Sequence, residues 1–212
     1  MSRAPASPPS VAPGADVDPT AQVGEQTRVW HLAQVREGAS LGRRCTVGRG
    51  AYVGPGVRVG DDCKLQNHAL VYEPAVLEDG VFVGPAAVLT NDLHPRAVTP
   101  EGRLKSADDW TPVGVRLLRG ASVGARAVCV APVTVGRWAM VAAGAVVVRD
   151  VPDYALVAGT PARRVGWVGP AGRRLEETRP GRFRCPASGR EFEELDGTLR
   201  PLGAGAERGA GR

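Results

Sequence analysis

Three histidines, His31, His68 and His94, are the side chains of this sequence best suited to moving a proton near neutral pH. His68 directly follows Asn67, whose carboxamide can both donate and accept hydrogen bonds. Arg49 carries a planar guanidinium that can pair with phosphate oxygens. These residue types suit proton transfer beside a phosphate-bearing ligand, provided that the fold brings them together.

The pattern that must position them has a period of six. Reading in sixes from Val11, Val or Leu fills the first place of fourteen consecutive hexads. These residues are Val11, Val17, Val23, Val29, Val35, Leu41, Val47, Val53, Val59, Leu65, Val71, Leu77, Val83 and Leu89. Six is neither the period of a helix nor that of an ordinary strand pair. It is typical of a coil with flat faces, in which three hexads make one triangular turn of about 18 residues.

The fifth place of each hexad is small, with Leu93 as the one larger exception. The small residues are Ala15, Ala21, Thr27, Ala33, Ala39, Cys45, Ala51, Val57, Cys63, Ala69, Ala75, Val81 and Ala87. Glycine recurs at the second and fourth places, as at Gly48 and Gly50, and we predict positive φ at both because glycine adopts it readily. The sequence therefore predicts an all-β chain, a parallel β-helix whose first-place side chains point into the prism.

Stacked turns would place residues 18 apart on one edge, so His31, Arg49, Asn67 and Pro85 should form a column. Imidazole, guanidinium and carboxamide in one column would make a polar wall for a phosphorylated ligand. The same spacing argues against a zinc site of three convergent histidines. His31 and His68 should lie on different turns about 10 Å apart, too far to share an ion that binds nitrogen at about 2 Å.

The chain divides into several parts. Residues 1–10 are rich in Pro, Ala and Ser, which predicts a disordered arm. Residues 11–168 should form the β-helix, interrupted at 91–116 by a loop without the repeat, and long insertions of this kind are usually functional. Residues 169–203 form a C-terminal extension with a hairpin around Pro186–Gly189, and residues 204–212 a disordered tail. After the loop, six further hexads begin at Leu117, Val123, Cys129, Val135, Val141 and Val147, which gives about seven turns in all.

Composition narrows the class of protein. With 212 residues and 43% apolar content, the chain can form one full domain. The sequence has neither an apolar run of roughly 18 residues nor a recognisable signal peptide, so we expect no membrane span. Despite a net charge of +5, basic and aromatic residues are not interleaved, which disfavours nucleic-acid binding. Cys45, Cys63 and Cys129 occupy small or inward places and should be core residues, as expected of a cytoplasmic protein.

The hexads resemble the left-handed β-helix of the hexapeptide-repeat acyltransferases. A narrower set of motifs resembles the N-acetyltransferases that act on nucleotide-linked 3-amino sugars. These motifs are Thr27–His31, Leu65–Asn67, Val71–Tyr72, Leu77–Pro85, Thr90–Asp92, Pro95–Ala97 and Val151–Arg163. The resemblance extends from Val11 to Val168 and implies the left-handed coil, since the period alone does not fix the hand.

This resemblance implies a homotrimeric enzyme that binds acetyl-CoA in the cleft between adjacent β-helices. The reaction implied is acetylation of the 3-amino group of a nucleotide-diphosphate-linked amino sugar, for a surface polysaccharide or a glycosylated metabolite. Acyl transfer needs a neutral amine, donors for the carbonyl oxygen and a proton for the leaving thiolate. The resemblance implies that Asn67 orients the amine while the CoA sulfur takes the proton, without a metal. His68 is the alternative, as a general base.

The predicted contacts fall into two sets. The sugar nucleotide should contact His31, Arg49, Gln66, Tyr72, Asn91, His94 and Arg96. CoA should contact Ala143, Gly144, Gly159, Pro161, Arg163 and Arg164. Arg49 could bind the diphosphate and Arg96 a sugar carboxylate, while Ala143 and Gly144 leave a groove free of large side chains. The stretch around Gly159 supplies positive charge for the CoA phosphates, or else is an ordinary helix cap.

Two other functions stay open from the sequence. The first is acyl transfer to another small amine or to a hydroxyl acceptor. The second is a non-catalytic β-helix scaffold, which would not need the polar set Asn67, Asn91 and Arg96 and would not bind CoA.

Overall fold

The computed structural model describes residues 7–203, and nearly all of its regular structure is β. Short strands, each followed by a turn, repeat along the first three quarters of the chain. In order they are β1 (Ser10–Val11), β2 (Asp16–Val17), β3 (Gln22–Val23), β4 (Arg28–Val29), β5 (Gln34–Val35), β6 (Ser40–Leu41), β7 (Thr46–Val47), β8 (Tyr52–Val53), β9 (Arg58–Val59), β10 (Lys64–Leu65), β11 (Leu70–Val71), β12 (Val76–Leu77), β13 (Phe82–Val83), β14 (Val88–Leu89), β15 (Val115–Leu117), β16 (Ser122–Val123), β17 (Val128–Cys129), β18 (Val133–Val135), β19 (Met140–Val141), β20 (Val146–Val147) and β21 (Ala155–Ala158).

Every third strand stacks in parallel on the same flat face of a prism. Face A consists of β1, β4, β7, β10, β13, β16, β19 and β21; face B of β2, β5, β8, β11, β14, β17 and β20; and face C of β3, β6, β9, β12, β15 and β18. The register pairs residues 18 apart, as at Val29, Val47 and Leu65. The predicted parallel β-helix is confirmed.

First-place side chains fill the prism. Val47, Val53 and Val83 are fully buried, and the fifth-place Ala33 and Ala69 pack beside them. Because each hexad supplies one large and one small inward residue, successive turns can stack at the strand spacing of about 4.8 Å without voids. The cysteines at inward or small places are also buried, with free thiols, as predicted.

Three columns of turns join the faces. The A/B corner consists of residues 30–33, 48–51, 66–69, 84–87, 124–127 and 142–145, together with residues 12–15. The B/C corner includes residues 36–39, 54–57 and 72–75, and the long loop of residues 90–114 leaves the prism there. The loop ends two residues earlier than predicted, because Val115 already pairs with Val133 on face C.

Glycine occupies the second and the fourth places of the hexad for different reasons, which corrects the prediction of positive φ at both. Positive φ occurs at the fourth place whether or not glycine stands there, with φ of 59° at Leu32 and at His68 and 64° at Gly50. The second-place glycines lack positive φ and are required by close contact between turns. A Cβ on Gly24 would lie 2.5 Å from the Gly42 carbonyl oxygen, and one on Gly48 would lie 2.6 Å from the Asn67 nitrogen.

Both ends of the coil differ from the prediction. Ser10 belongs to β1 and the Ser7 carbonyl accepts a hydrogen bond from Gln26, so the arm predicted for residues 1–10 is paired from residue 7 onward; residues 1–6 lie outside the described residues. At the other end β21 adds an eighth rung to face A, one more than the predicted seven turns. Val157 pairs with Val141, so this last turn is two residues shorter than the others.

The top of the prism is closed by antiparallel strands. β22 (Arg163–Trp167) folds back on β21, and the chain continues into a four-stranded sheet of β23 (Glu176–Arg179), β24 (Arg182–Arg184), β25 (Glu191–Leu195) and β26 (Thr198–Pro201). The hairpin expected around Pro186–Gly189 is the antiparallel pair β24 and β25. Phe192 is buried and meets Tyr154 edge to face at 5.5 Å, which seals the last turn. The predicted tail, residues 204–212, lies outside the described residues.

Candidate functional site

The A/B corner carries the predicted polar column. His31, Arg49 and Asn67 occupy the third place of successive turns, and all three are exposed. Backbone hydrogen bonds lock the turns together, since the Gly50 nitrogen donates to the His31 carbonyl and the His68 nitrogen donates to the Arg49 carbonyl. The column is therefore held at the rung spacing, with His31 and Asn67 about 10 Å apart.

Asn67 has a structural task at this corner. Its Oδ1 atom accepts a hydrogen bond from the Arg49 backbone nitrogen at 2.9 Å. Aspartates do the same at equivalent corner places, where Asp61 accepts from Arg43 at 2.8 Å and Asp153 accepts from Arg137 at 2.7 Å. An acceptor is all that this bond requires, so the Nδ2 donors of Asn67 distinguish it from those aspartates. The two Nδ2 donors and the second lone pair of Oδ1 are therefore the groups with which Asn67 can hydrogen-bond a ligand.

The His68 side chain packs over the turn below its own. A Cβ on Gly50 would be 2.6 Å from the His68 Nδ1 atom, so the imidazole covers the backbone of Gly50. The side chain is nevertheless exposed, and Gln66 beside it is half-buried. The imidazole therefore stands next to Asn67 at the same exposed corner.

Higher on this corner the side chains become small. Ala143 and Gly144 are exposed, and no atom lies within 4 Å of the position that a Cβ on Gly144 would take. The turn that follows β21 docks above them, because the Val146 nitrogen donates to the Gly159 carbonyl at 3.0 Å and the Ala162 nitrogen donates to the Val146 carbonyl at 2.7 Å. The small side chains are interrupted one rung below by Arg126, which is exposed on the same corner, so the groove expected from the sequence is not free of large side chains along its length.

The stretch around Gly159 is a strand-to-strand turn, which excludes the helix cap considered from the sequence. Pro161 is exposed in this turn. Arg164 is committed to the C-terminal sheet, since it pairs with Glu194 at 3.0 Å and its guanidinium lies 4.2 Å from the Trp167 ring centroid. Arg163 is exposed, and its guanidinium bonds only to the neighbouring Ala162 carbonyl within residues 7–203. Of the two arginines, Arg163 is the one with charge to offer an anion.

The remaining predicted contacts lie at the B/C corner. Tyr72 packs against Tyr52 with ring centroids 5.1 Å apart, and Asn91 holds the base of the loop by accepting from the Val113 nitrogen at 2.9 Å. His94 follows in the loop, where its backbone nitrogen donates to the Asp92 carboxylate at 2.8 Å.

Farther along, the loop has structure of its own. Val98 and Leu104 form an antiparallel bridge, and Arg103 pairs with Asp109 in a 3-10 helix of Ala107–Asp109. The Asp109 pKa is held well below its usual range, mainly by the Arg103 hydrogen bonds. Arg96 is exposed on the loop, with a hydrogen bond only to the neighbouring Pro95 carbonyl among the described residues.

The predicted site residues thus form two groups on opposite edges of face B. Asn67, His68 and Gly144 stand at one edge, while Tyr72 and the loop stand at the other. One chain does not gather them around a single ligand, because the width of the face separates them.

Face B carries a feature that the sequence reasoning missed. Its outward, sixth-place side chains are apolar and partly exposed on consecutive rungs, namely Leu70, Val88, Val128 and Val146. Lower on the same face the corresponding residues are Asp16 and Gln34, which bond to each other at 2.8 Å. Reading the sixth place of every third hexad would have shown the apolar stripe, which suits a surface that packs against another one.

Glu73 was also missed. Its Oε2 atom is buried without a hydrogen-bond partner, since the residue one turn below is Pro55, which lacks an N–H. Burial, followed by the charge of Glu73, raises the pKa of the neighbouring Tyr52. The 18-residue spacing between Glu73 and a proline was the sequence feature that could have revealed this unpaired corner.

Residues 7–203 contain neither a metal-binding cluster nor a membrane-spanning helix. No group of three or more His, Cys, Asp or Glu side chains is placed to hold a metal ion there. In the same range no helix is long and apolar enough to cross a membrane.

Comparison with known proteins agrees with the repeat architecture of the chain. A family model described as the hexapeptide repeat of succinyl-transferase matches residues 38–72 and 119–149. A dTDP-3-amino-3,6-dideoxy-alpha-D-galactopyranose 3-N-acetyltransferase of Aneurinibacillus thermoaerophilus is 58% identical over 50 residues, which is 24% of this chain and 26% of that protein. A serine acetyltransferase of Escherichia coli K12 is 40% identical over 88 residues, 41% of this chain and 31% of that protein.

Among solved structures, a hexapeptide-repeat-containing acetyltransferase from Vibrio cholerae aligns with a TM-score of 0.50 and 26% identity. The alignment covers 60% of this chain and 72% of that one. The matches to the two curated relatives span only 26% and 31% of their lengths. The matched repeats, these relatives and the shared fold confirm the predicted resemblance of this chain to the hexapeptide-repeat acyltransferases.

Proposed function

We propose that this protein is an acetyl-CoA-dependent N-acetyltransferase that acetylates the 3-amino group of a nucleotide-diphosphate-linked amino sugar. The observation that carries the proposal is the A/B corner. There the exposed Asn67 and His68 lie on the same corner as the small, exposed Ala143 and Gly144 higher up. The similarity to a 3-amino-sugar N-acetyltransferase supports the choice of acceptor.

The chemistry needs few groups from the protein. The neutral amine of the sugar attacks the thioester carbon, and the C–S bond then breaks as the amide forms. The departing thiolate takes the proton that the amine loses, so atoms and charge balance without a metal. Asn67 orients the amine through its free carboxamide positions, and His68 stands beside it as the alternative base.

The CoA half of the ligand would follow the corner upward. The small side chains at Ala143 and Gly144 leave room for the pantetheine arm, and the turn of Gly159 and Pro161 lies above them. Arg163 is exposed at the end of this turn and supplies positive charge for the CoA phosphates.

A homotrimer would complete the site. The sugar-binding residues of the B/C corner, which include Tyr72, Asn91 and the loop, lie across face B from Asn67. A second copy packed on the apolar stripe of face B would bring the loop of one chain to the A/B corner of the next. Three copies related in this way close a ring and leave no stripe exposed. Light scattering of the purified protein should therefore give the mass of three chains.

The test is thiol release from acetyl-CoA with a panel of UDP- and dTDP-linked 3-amino sugars. Acetylation of at least one of them, with the product identified as an amide by mass spectrometry and NMR, is the expected result. No turnover across the panel, with no CoA binding by calorimetry, would leave the scaffold interpretation in its place.

A second candidate is O-acetylation of a small hydroxyl acceptor. The match to serine acetyltransferases over 88 residues favours it. A neutral hydroxyl is a much weaker nucleophile than a neutral amine and is too weakly acidic to lose its proton to solvent beforehand. A base must therefore take that proton during the attack, and His68 would have to serve. L-serine in the same assay distinguishes the two reactions, since an ester product would decide for this candidate.

A further inference from the structure

A groove of about 330 Å³ lies on face C, apart from the A/B corner. It is lined by Arg58, Pro74, Val76, Gly114 and Arg116. Arg58, Val76 and Arg116 are in register on three successive strands, so the two arginines flank Val76 from the rungs below and above. Their Cα atoms are about 10 Å apart, which lets two long side chains converge over the valine.

Neither arginine has a counter-charge in residues 7–203. Both are exposed, and neither makes an ion pair or a side-chain hydrogen bond to the described part of the chain. Elsewhere on the coil, arginines pair with aspartates one turn away, as Arg43 does with Asp61 at 2.7 Å and Arg44 with Asp62 at 2.6 Å.

The outward residues next to the groove on face C are Ser40 below Arg58 and Thr134 above Arg116, and neither is acidic. The first carboxylate higher in this column is Asp150, on the rung above Thr134, where its Oδ1 atom accepts a hydrogen bond from the Thr134 nitrogen at 2.7 Å. Two guanidiniums held on one flat face without an acidic neighbour repel each other, and an anion between them would relieve that repulsion.

The floor of the groove is apolar and backbone-defined. Gly114 is the last residue of the loop, and a Cβ there would lie 2.8 Å from the Pro74 carbonyl oxygen. Pro74 and Val76 provide no hydrogen bonds from their side chains, so the charged rim must supply the specificity. The groove also adjoins the foot of the loop that carries Asn91 and Arg96.

We propose that Arg58 and Arg116 form a clamp for a diphosphate group. Each guanidinium can pair bidentately with the oxygens of one phosphoryl unit, which two adjacent units satisfy and a single phosphate does not. That this diphosphate belongs to a nucleotide-linked sugar rests on the proposed function; the anion site itself does not. Face C is distinct from the apolar face B, so a trimer built on face B leaves the clamp accessible.

Binding of inorganic pyrophosphate to the full-length protein, measured by calorimetry at low ionic strength, tests the clamp directly. Arg58→Gln and Arg116→Gln should each weaken binding on the order of tenfold, the effect of losing one charge-assisted pair. The control is Arg28→Gln, an exposed arginine on face A that has no ion pair in the described residues, and it should bind like the parent protein. Thermal unfolding confirms that each variant is folded.

Several outcomes would overturn the assignment. These are no binding to the parent protein, unchanged binding to the double variant, orthophosphate binding as tightly as pyrophosphate, or a loss confined to Arg49→Gln. UDP or dTDP should compete with pyrophosphate. Failure of both to compete would refute the inference that the bound diphosphate belongs to a nucleotide. Pyrophosphate binding lost in the arginine variants, together with no acetylation of any amino sugar, would support the clamp while refuting the proposed function.

Discussion

Two substitutions can separate the structural role of Asn67, its corner hydrogen bond, from its proposed chemical role, which needs the amide donors. Asn67→Ala removes both the acceptor that bonds the Arg49 nitrogen at 2.9 Å and the Nδ2 donors. Asn67→Asp keeps an acceptor in the same place, as Asp61 and Asp153 show at equivalent corners, but has no donor when ionised. The two variants therefore share a loss of the amide donors and differ in the corner hydrogen bond.

The expected size of the structural effect follows from that one bond. A backbone donor at an exposed corner can turn to water, so its loss should lower the free energy of unfolding by about 0.5–1.5 kcal/mol. For a chain of this size, that is a fall in Tm of a few degrees, roughly 2–4 °C per kcal/mol. Asn67→Ala should show this fall, and Asn67→Asp should keep the parent Tm.

Turnover should depend on the Nδ2 donors of Asn67 and not on its corner hydrogen bond. If the carboxamide orients the amine, both variants lose more than about tenfold in kcat while the oligomer mass is unchanged. The assay is thiol release from acetyl-CoA with the amino sugar that the parent protein accepts. Near-normal kcat in both variants would refute the role of Asn67 and shift it to His68. His68→Asn then becomes the decisive change, because asparagine tolerates the positive φ of 59° at this place.

Three further predictions concern stability. First, Arg43 lowers the pKa of Asp61 and Arg44 that of Asp62, mainly by side-chain hydrogen bonds. A carboxylate with a depressed folded pKa stabilises the protein fully above its unfolded pKa near 3.8, and this stabilisation is lost as the pH falls from there through the lower folded pKa. Acid unfolding followed by circular dichroism should therefore shift to higher pH in Asp61→Asn. The shift should be smaller in 1 M salt, which screens the ion pair. Second, Gly124→Ala should cost about 1–3 kcal/mol in urea unfolding, because its Cβ would lie 2.5 Å from the Ala143 nitrogen; Gly56→Ala, with open space and only its positive φ to strain, should cost about 1 kcal/mol, and equal costs would contradict the contact argument. Third, Leu65→Ala should cost about 2–5 kcal/mol in the same measurement, since Leu65 is 1% exposed and a cavity between stacked turns cannot collapse; a cost below 1 kcal/mol would show that the rungs close up.

Much of the architecture could be read from the sequence because a hexad is a local code. The first place of each hexad must be large and apolar to fill the prism, and the fifth must be small, so Val47 and Ala51 reveal their burial by their positions alone. The change of phase between Leu89 and Leu117 located the loop, because an insertion that is not a multiple of six resets the count. The column of His31, Arg49 and Asn67 followed from the same period.

The candidate site could be predicted only as a set of residue types. A period states which residues lie above one another, so it placed Asn67 above Arg49, but it could not show that their bond occupies one side of the carboxamide. The sequence likewise assigned the charge of Arg164 to the CoA phosphates, whereas the fold pairs Arg164 with Glu194.

What the sequence by itself determined was the repeating cross-section: which side chain of each hexad points inward, and where the repeat is interrupted. What only the tertiary structure decided was how successive turns meet. The second-place glycines are required because a Cβ on Gly48 would strike the next turn, the eighth rung forms because a shortened turn still pairs Val157 with Val141, and Tyr72 is parted from Asn67 by face B. The physical reason is that inward burial is fixed within each hexad, whereas contact between turns depends on residues a whole turn or more apart in the chain.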